Sequence, residues 1–364
     1  MKAKRFIYLN LKGILINNKT NFKALKNPKV SVIIPIYNSQ KFVYRAIKSI
    51  QNQNFSELEI ILINDFSTDN TLKKLKEFQK EDPRIIIINN KKNFGILYSR
   101  SIGVLLAKGK YIFSLDNDDM LLNNDVISSI TKISIEYDFD IVEFKGVMTF
   151  NDINLKAHSK IYDLYYSNRT INQPIHQPEL SSYTLKIDNI FKNYKCNSVY
   201  LWNKCIKKSI YQKALNKLGK DKYTRYMIAH EDILAVFIIF NTAKSFIYVG
   251  KYGYYRILRK GRGFSLTSNY NKYIKEFYLL DAIITFSNNL TKHQKLIINR
   301  IYKILELKLL RKIILENESY KNILFNILDS VLNSNFISKQ YKQIIISKGK
   351  SLKFIDYHLF KNTN

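Results

Sequence analysis

Cysteine is nearly absent from this chain of 364 residues: Cys196 and Cys205 are the only two. That excludes a disulfide framework and the repeated Cys pairs of a zinc module, and it points to reduced thiols in a cytosol-like compartment. Both read as small core residues. Five prolines and eleven glycines exclude a collagen-like or low-complexity chain. Acidic residues are also scarce, 29 Asp and Glu against 59 Lys and Arg, for a formal net charge of +30. Such an excess draws a protein toward polyanions or an anionic membrane face. The abundance of Asn, Ile and Lys along the whole chain offers compositional drift as an equal explanation. No apolar run reaches the about 18 residues that cross a bilayer. The opening MKAKRFIYLNLKGILINNKT is basic, but Asn10, Lys12 and Asn17 interrupt the apolar core that a signal peptide needs. A cytoplasmic protein is expected, with peripheral contact at the cytoplasmic membrane face left open.

What is present is a folding composition, 46% hydrophobic and 13% aromatic, in a chain long enough to bury a sizeable core. From Val30 onward, short β-branched runs alternate with segments of helical period. VSVIIPI (30–36) is apolar throughout, as in a strand buried on both faces, and Phe42, Ala46, Ile47 and Ile50 follow at helical spacing. EIILIN (59–64) leads to Ser67, Thr68 and Asp69, helix-cap candidates ahead of Leu72, Leu75 and Phe78. RIIIIN (84–89) leads to a helix over 96–107, and KYIFSL (110–115) runs into Asp116.

This alternation predicts an α/β fold, a mostly parallel sheet flanked by helices, with ligands bound beyond the carboxyl ends of the strands. The polar residues fall at those ends: Tyr37 and Asn38, then Asp65, then Asn93 and Gly95, then Asp116, Asn117, Asp118 and Asp119. A further helix carries Val126, Ile127, Ile130 and Ile133, and DIVEF (140–144) reads as a strand. Residues 151–197 are polar and irregular, with Pro174 and Pro178, as in a loop-rich insertion. Regular structure resumes in SVYLWNKCI, in a helix after His230, and in two strand-like pieces, KSFIYVG and YGYYRIL. From about Asn269 the pattern is helical and basic.

Three acids in LDNDD at the end of a buried strand repel one another, and a hard divalent cation relieves that repulsion. Mg²⁺ or Mn²⁺ commonly takes one or two protein carboxylates and completes its shell with water and phosphate oxygens, a geometry suited to a diphosphate leaving group. Asp-x-Asp alone is a weak signal, because these residues also cap helices and make turns. Its place at a strand end, with Asp65 at an equivalent strand end, strengthens it.

VSVIIPIYN, INDFSTDNT, NFGILYSRSIGVLLAKGKYIFSLDNDDML and the later HED together resemble the family 2 glycosyltransferases of GT-A fold, over about residues 30–260. The resemblance implies that Pro35, Tyr37 and Asn38 lie against a nucleotide and that Asp65 accepts from its base. It puts Arg100 near the phosphates or base, with Gly95 giving close backbone approach. Asp116 and Asn117 fall in the nucleotide-sugar segment, Asp116 as a ribose or metal-shell residue and Asp118 as the direct metal contact, with Asp119 in reserve. Asp232, beside Glu231, falls on the general base, and Trp202 with Asn203, Lys204, Tyr255 and Arg256 on the acceptor side.

Each has a plainer reading: a proline turn, a helix cap, an exposed helix arginine, or, for Trp202, core packing. Asn64 stands where the family often has an acid, and Ser101 where it often has Asn, so the donor stays open. The implied activity is inverting, metal-dependent sugar transfer from a nucleoside diphosphate sugar to a hydroxyl on a glycan, lipid-linked or polysaccharide acceptor. The expected organisation is an N-terminal extension (1–29), a glycosyltransferase domain (30–265) with a nucleotide-sugar half (30–145) and an acceptor half (146–265), and a basic helical region (266–364). A basic binding module and an inactive scaffold are the rival readings; no nucleic-acid motif supports the first.

Overall fold

The computed structural model describes residues 14–16, 27–150, 162–163, 200–219, 231–240, 242–258 and 343. The chain divides into two compact units, one of residues 1–227 with 235–265 and the other of 228–234 with 266–364. The loop-rich insertion (apart from 162–163), His230, Cys196 and nearly all of the basic helical region lie outside the described residues.

The strands are β1 (Ile14–Ile16), β2 (Val30–Ile36), β3 (Leu58–Asn64), β4 (Ile85–Asn90), β5 (Tyr111–Ser114), β6 (Met120–Leu121), β7 (Ile141–Phe150), β8 (Tyr162–Asp163), β9 (Lys204–Lys207) and β10 (Phe246–Leu258). Between them run helices α1 (Val43–Gln51), α2 (Thr71–Glu81), α3 (Ile96–Leu106), α4 (Val126–Glu136), α5 (Lys208–Leu218) and α6 (Glu231–Phe240). One sheet has the order β1-β4-β3-β2-β5-β9-β7-β10-β6, with β8 on β7. Strands β4, β3, β2 and β5 are parallel, and so are β7 and β10. Short β9 is antiparallel to both β5 and β7 and joins the two parallel groups. From the N-terminal stretch, β1 adds an antiparallel edge to β4.

β2 and β3 are buried along their whole length, as a strand covered by helices on both faces must be. Each fully buried Val or Ile there contributes about 1.5–3 kcal/mol. Pro35 in a central strand needs a reason, since it has no N–H to give a ladder. Two residues earlier, the Ile33 carbonyl takes the Leu115 N–H. Pro35 therefore turns its missing donor toward the β5 side, past the last β2–β5 pair, Ile33 with Ser114. The proline costs no ladder bond and leaves its carbonyl free at the strand end.

The chain steps from β2 outward through β3 to β4, then returns to place β5 on the other side of β2. That reversal opens a crevice between the carboxyl ends of β2 and β5, the place where open α/β sheets bind ligands. The two pieces read as separate strands near the end are one strand, β10. Its pairing with β7 shifts register between Tyr248 and Tyr252 and again between Tyr252 and Tyr254, so bulges rather than a turn absorb Gly250 and Gly253. Cys205 is a buried free thiol, pushed up to about 12 by burial, and stays protonated. Among the described residues no helix is long and apolar enough to cross a membrane.

Candidate active site

Asp65 follows β3 at the ligand edge and is nearly inaccessible, 4% exposed. Its Oδ1 accepts from Asn90 Nδ2 (2.7 Å) and the Phe94 N–H (3.0 Å), and its Oδ2 from the Gly95 N–H (2.8 Å). A carboxylate at the start of α3 suits the positive end of that helix. Asp65 thus holds the loop that leads into α3 and does not cap α2, where Asp69 Oδ1 accepts the Thr71 N–H at 3.0 Å. Gly95 sits at φ 88°, a left-handed backbone that an L side chain would strain, and this turn brings the 93–95 loop onto Asp65. Asp65 Oδ2 keeps one lone pair for a base donor.

The β2 and β3 loops are zipped to each other. Asn38 Oδ1 accepts the Thr68 N–H at 2.8 Å, the Asn38 N–H donates to Ser67 Oγ at 3.0 Å, and the Ser39 N–H donates to Thr71 Oγ1 at 2.8 Å. Asn38 therefore holds the loop, while Tyr37, 47% exposed, presents its ring beside it. Phe66, 49% exposed and at φ 64°, presents a second ring from the end of β3. Exposed large apolar side chains are otherwise few among the described residues, Tyr44 and Ile135. Both rings are thus exposed at strand ends on the ligand edge of the sheet. Phe66 was missed in the sequence, although its place between Asp65 and the Ser67 turn was the available signal.

Across the crevice, Asn117 Nδ2 donates to the free Pro35 carbonyl at 3.0 Å and ties the β5 loop to the end of β2. Arg100, from α3, is 1% exposed and its Nη2 meets Asp116 Oδ1 at 2.6 Å. Arg100 thus reaches the site through Asp116, as a positioning residue, and is not the exposed helix arginine of the plainer reading. Asp118 is 4% exposed, and its carbonyl accepts Arg45 Nη2 at 3.3 Å. Asp119 is buried completely. Its Oδ2 takes the Tyr254 hydroxyl at 2.9 Å and its Oδ1 the Ile257 N–H at 3.0 Å. It pins the acidic loop to β10.

Tyr254 is the joint. Its oxygen also accepts the Asp116 N–H at 3.2 Å, and its ring stacks on Trp202 at 4.2 Å. Trp202 stacks in turn near Tyr200 at 5.1 Å and is 3% exposed. A Cβ on Gly146 would overlap the indole, lying 2.6 Å from its Cη2. Placed on the acceptor side by resemblance, Trp202 is instead packed in the core, where it supports Tyr254 beneath the acidic loop. Tyr255 is buried as well, and Arg256 lies over the Tyr200 ring at 5.1 Å. Burial, and then the charges of Asp119 and Asp116, raise the Tyr254 phenol well above its ordinary value. The bridge is therefore complete below about pH 10 and is lost as pH rises through the folded-state pKa. Tyr254→Phe is expected to destabilise the protein by about 1–3 kcal/mol, the cost of stranding buried polar groups, as measured by urea unfolding.

Asp116 and Asp118, one of them shared with Arg100, suit a hard cation that completes its shell with water and phosphate oxygens. Among the described residues no group of three or more His, Cys, Asp or Glu forms an all-protein metal cage. Glu231 and Asp232 stand half-buried in the first turn of α6, where a helix favours negative charge.

Residues 31–203 match the model of the family described as glycosyl transferase family 2. The glycosyltransferase GlyA of Streptococcus pneumoniae serotype 4 is 26% identical over 249 residues, 65% of this chain and 32% of that protein. The GalNAc(5)-diNAcBac-PP-undecaprenol beta-1,3-glucosyltransferase of Campylobacter jejuni is 39% identical over 111 residues, 30% of this chain and 36% of that protein. The matched region thus spans about a third of the length of these relatives. Among solved structures, S. aureus TarS 1-349 in complex with UDP-GlcNAc has a TM-score of 0.58 at 18% identity, covering 88% of this chain and 84% of that one. That likeness establishes the fold: a mixed, mostly parallel sheet with flanking helices, of GT-A type.

Proposed function

We infer, from the match of residues 31–203 to the model of glycosyl transferase family 2, that this chain transfers a sugar from a nucleoside diphosphate sugar to a hydroxyl acceptor. The observation that carries the reading is the set of residues at this edge: Tyr37 after β2, Asp65 and Phe66 after β3, and Asp116 and Asp118 after β5, with the Asn117–Pro35 bond tying the β5 loop to β2. This arrangement suits a ligand with a base at one end and a diphosphate at the other. Crystallised TarS holds UDP-GlcNAc, which makes a UDP-sugar the first donor to try. The Campylobacter relative named for an undecaprenol-linked substrate supports a lipid-linked glycan as the acceptor class.

In this reading Tyr37 and Phe66 flank the base, and the remaining Asp65 lone pair accepts its N–H. Arg100 holds Asp116 in one rotamer and offsets part of the negative charge beside the diphosphate. Asp116 and Asp118 would hold a divalent cation, Mn²⁺ or Mg²⁺, which supplies neutralisation of the departing diphosphate. The family resemblance puts the general base on Asp232, which would take the proton of the acceptor hydroxyl as the hydroxyl oxygen bonds to the anomeric carbon. The bond from that carbon to the diphosphate oxygen breaks, the nucleoside diphosphate leaves, and attack from the opposite face inverts the anomeric centre.

The test is a thermal melt with UDP, with and without Mn²⁺. A ligand at a hundred times its Kd raises stability by about 2.7 kcal/mol. Asp118→Ala is expected to abolish the Mn²⁺-dependent part of that rise while the folded protein persists. Unchanged cation dependence in the variant would remove Asp118 from the role. Absence of any nucleotide effect in the wild type would remove the donor assignment.

A further inference from the structure

The opposite edge of the sheet carries a second feature that sugar transfer does not use. A cavity of about 620 Å³ lies there, lined by Asn27, Pro28, Ala107, Lys108, Lys110, Lys207, Lys208 and Ser209. Pro28 precedes β2 and Lys110 precedes β5, so the cavity sits at the amino ends of the strands whose carboxyl ends form the crevice. The volume is within the range of small-molecule sites, about 300–1,000 Å³.

Four of the lining residues are lysines. Lys207 Nζ meets Asp138 Oδ2 at 2.8 Å and Asp140 Oδ1 at 3.5 Å, and Lys110 Nζ meets Asp138 Oδ1 at 3.2 Å. Lys208 Nζ donates to the carbonyls of Ala107 (3.3 Å) and Lys108 (3.2 Å). Lys108 and Lys208 have no carboxylate partner among the described residues, so four lysines face two aspartates. Helix α5 starts at this spot with Lys207 as its N-cap and Lys208 as its first residue, without an acid in its first turn or a side-chain cap. Cations at the positive end of a helix reverse the usual preference. A bound anion would offset the positive charge that Asp138 and Asp140 leave uncompensated.

The wall is also built. Buried Glu59 Oε1 accepts the Lys108 N–H at 2.5 Å, the Gly109 N–H at 3.2 Å and the Ser31 hydroxyl at 2.6 Å. A carboxylate behind the loop thus orders the backbone and leaves the Lys108 side chain outside. Point-charge ammonium groups around a helix N-terminus are the chemistry that takes phosphate.

We propose that this cavity binds a phosphate-bearing anion, at a site separate from the sugar-transfer crevice. The phosphate belongs either to a phospholipid headgroup or to a soluble phosphate compound, and the two arms of the test distinguish them. In the first arm, the full chain is sedimented with phosphatidylglycerol vesicles and with phosphatidylcholine vesicles. In the second, pyrophosphate is added to a thermal melt without divalent metal and without nucleotide.

With a net charge of +30, non-specific attraction is the rival explanation. The control is therefore Lys76→Glu, an equal charge reversal at an exposed position on α2. Lys108→Glu is expected to weaken binding of the responding probe by about tenfold, and Lys76→Glu by less than about twofold. Lys108→Gln should fall between. Vesicle binding lost in Lys108→Glu assigns the headgroup; a pyrophosphate shift alone lost in that variant assigns the soluble source. Equal losses in the Glu variants, or no binding of either probe, overturn the proposal. Sugar transfer by Lys108→Glu stays at the wild-type rate with a soluble acceptor, which keeps this site's failure distinct from failure of the crevice.

Discussion

Asp232→Asn is expected to lower kcat for sugar transfer by about two to four orders of magnitude, the range a positioned general base supplies. The carboxamide keeps the size of the side chain and its ability to accept a hydrogen bond, but it cannot hold the acceptor's proton at neutral pH. Binding of the nucleotide, proposed to involve Tyr37, Phe66, Asp65 and the acidic loop, should be nearly unchanged. The fold should survive, because removing one carboxylate from the first turn of α6 costs about 0.3–1 kcal/mol and Glu231 remains beside it. Initial rates with a saturating donor, together with a melting curve, check both halves. Wild-type turnover in this variant would pass the role of base to another group.

Lys204→Met is expected to produce the largest loss of stability, about 3–5 kcal/mol, out of the about 5–15 kcal/mol typical of a whole domain. Lys204 and Glu143 both have side chains with no exposure, and their charged atoms lie 3.3 Å apart. Lys204 Nζ also donates to the Tyr200 carbonyl at 2.7 Å and to Asn203 Oδ1 at 2.9 Å, and Asn203 Nδ2 donates to Glu143 Oε1 at 3.3 Å. Methionine fills much the same volume but removes the ammonium that lies 3.3 Å from the buried Glu143 carboxylate. The double variant Lys204→Met with Glu143→Leu should recover most of the loss, because the desolvation of both charges disappears together. Urea unfolding of the two single variants and the double yields the coupling directly. Additive losses would mean that the pair does not act as a unit. The same network holds the 200–203 turn, and hence Trp202 against Tyr254, so nucleotide affinity should fall along with stability in Lys204→Met.

LWNKC shows where local reading ends. Its residues stood out in the sequence as an acceptor-side segment, yet the partners that decide their role, Glu143 and Tyr254, are distant along the chain. Asp65 is a second case: a strand-end acid followed by Ser67, Thr68 and Asp69 reads as a cap for the next helix. The structure gives it instead to the loop ahead of α3, because Gly95, 30 residues away, folds its N–H onto the carboxylate. Asp119 is a third. Its spacing in LDNDD makes it a spare ligand, whereas the Tyr254 hydroxyl, 135 residues on, makes it a clamp.

The strands were legible because burial on both faces demands unbroken apolar runs, and those runs are contiguous in the chain. The crevice was legible for a related reason: each run ends where polar residues begin, and βα alternation turns all those ends to one edge. The sequence alone therefore determined the βα core from β2 to β5 and most of the residues that gather at its ligand edge, though not Phe66 or the continuity of β10. Only the tertiary structure decided which of them face the crevice and which are consumed in holding it: Asn38, Arg100, Asp119 and Trp202 became supports. That division depends on hydrogen bonds and ring contacts between residues up to 138 positions apart. Their pairing is set by strand order and register across the sheet, which no local spacing records.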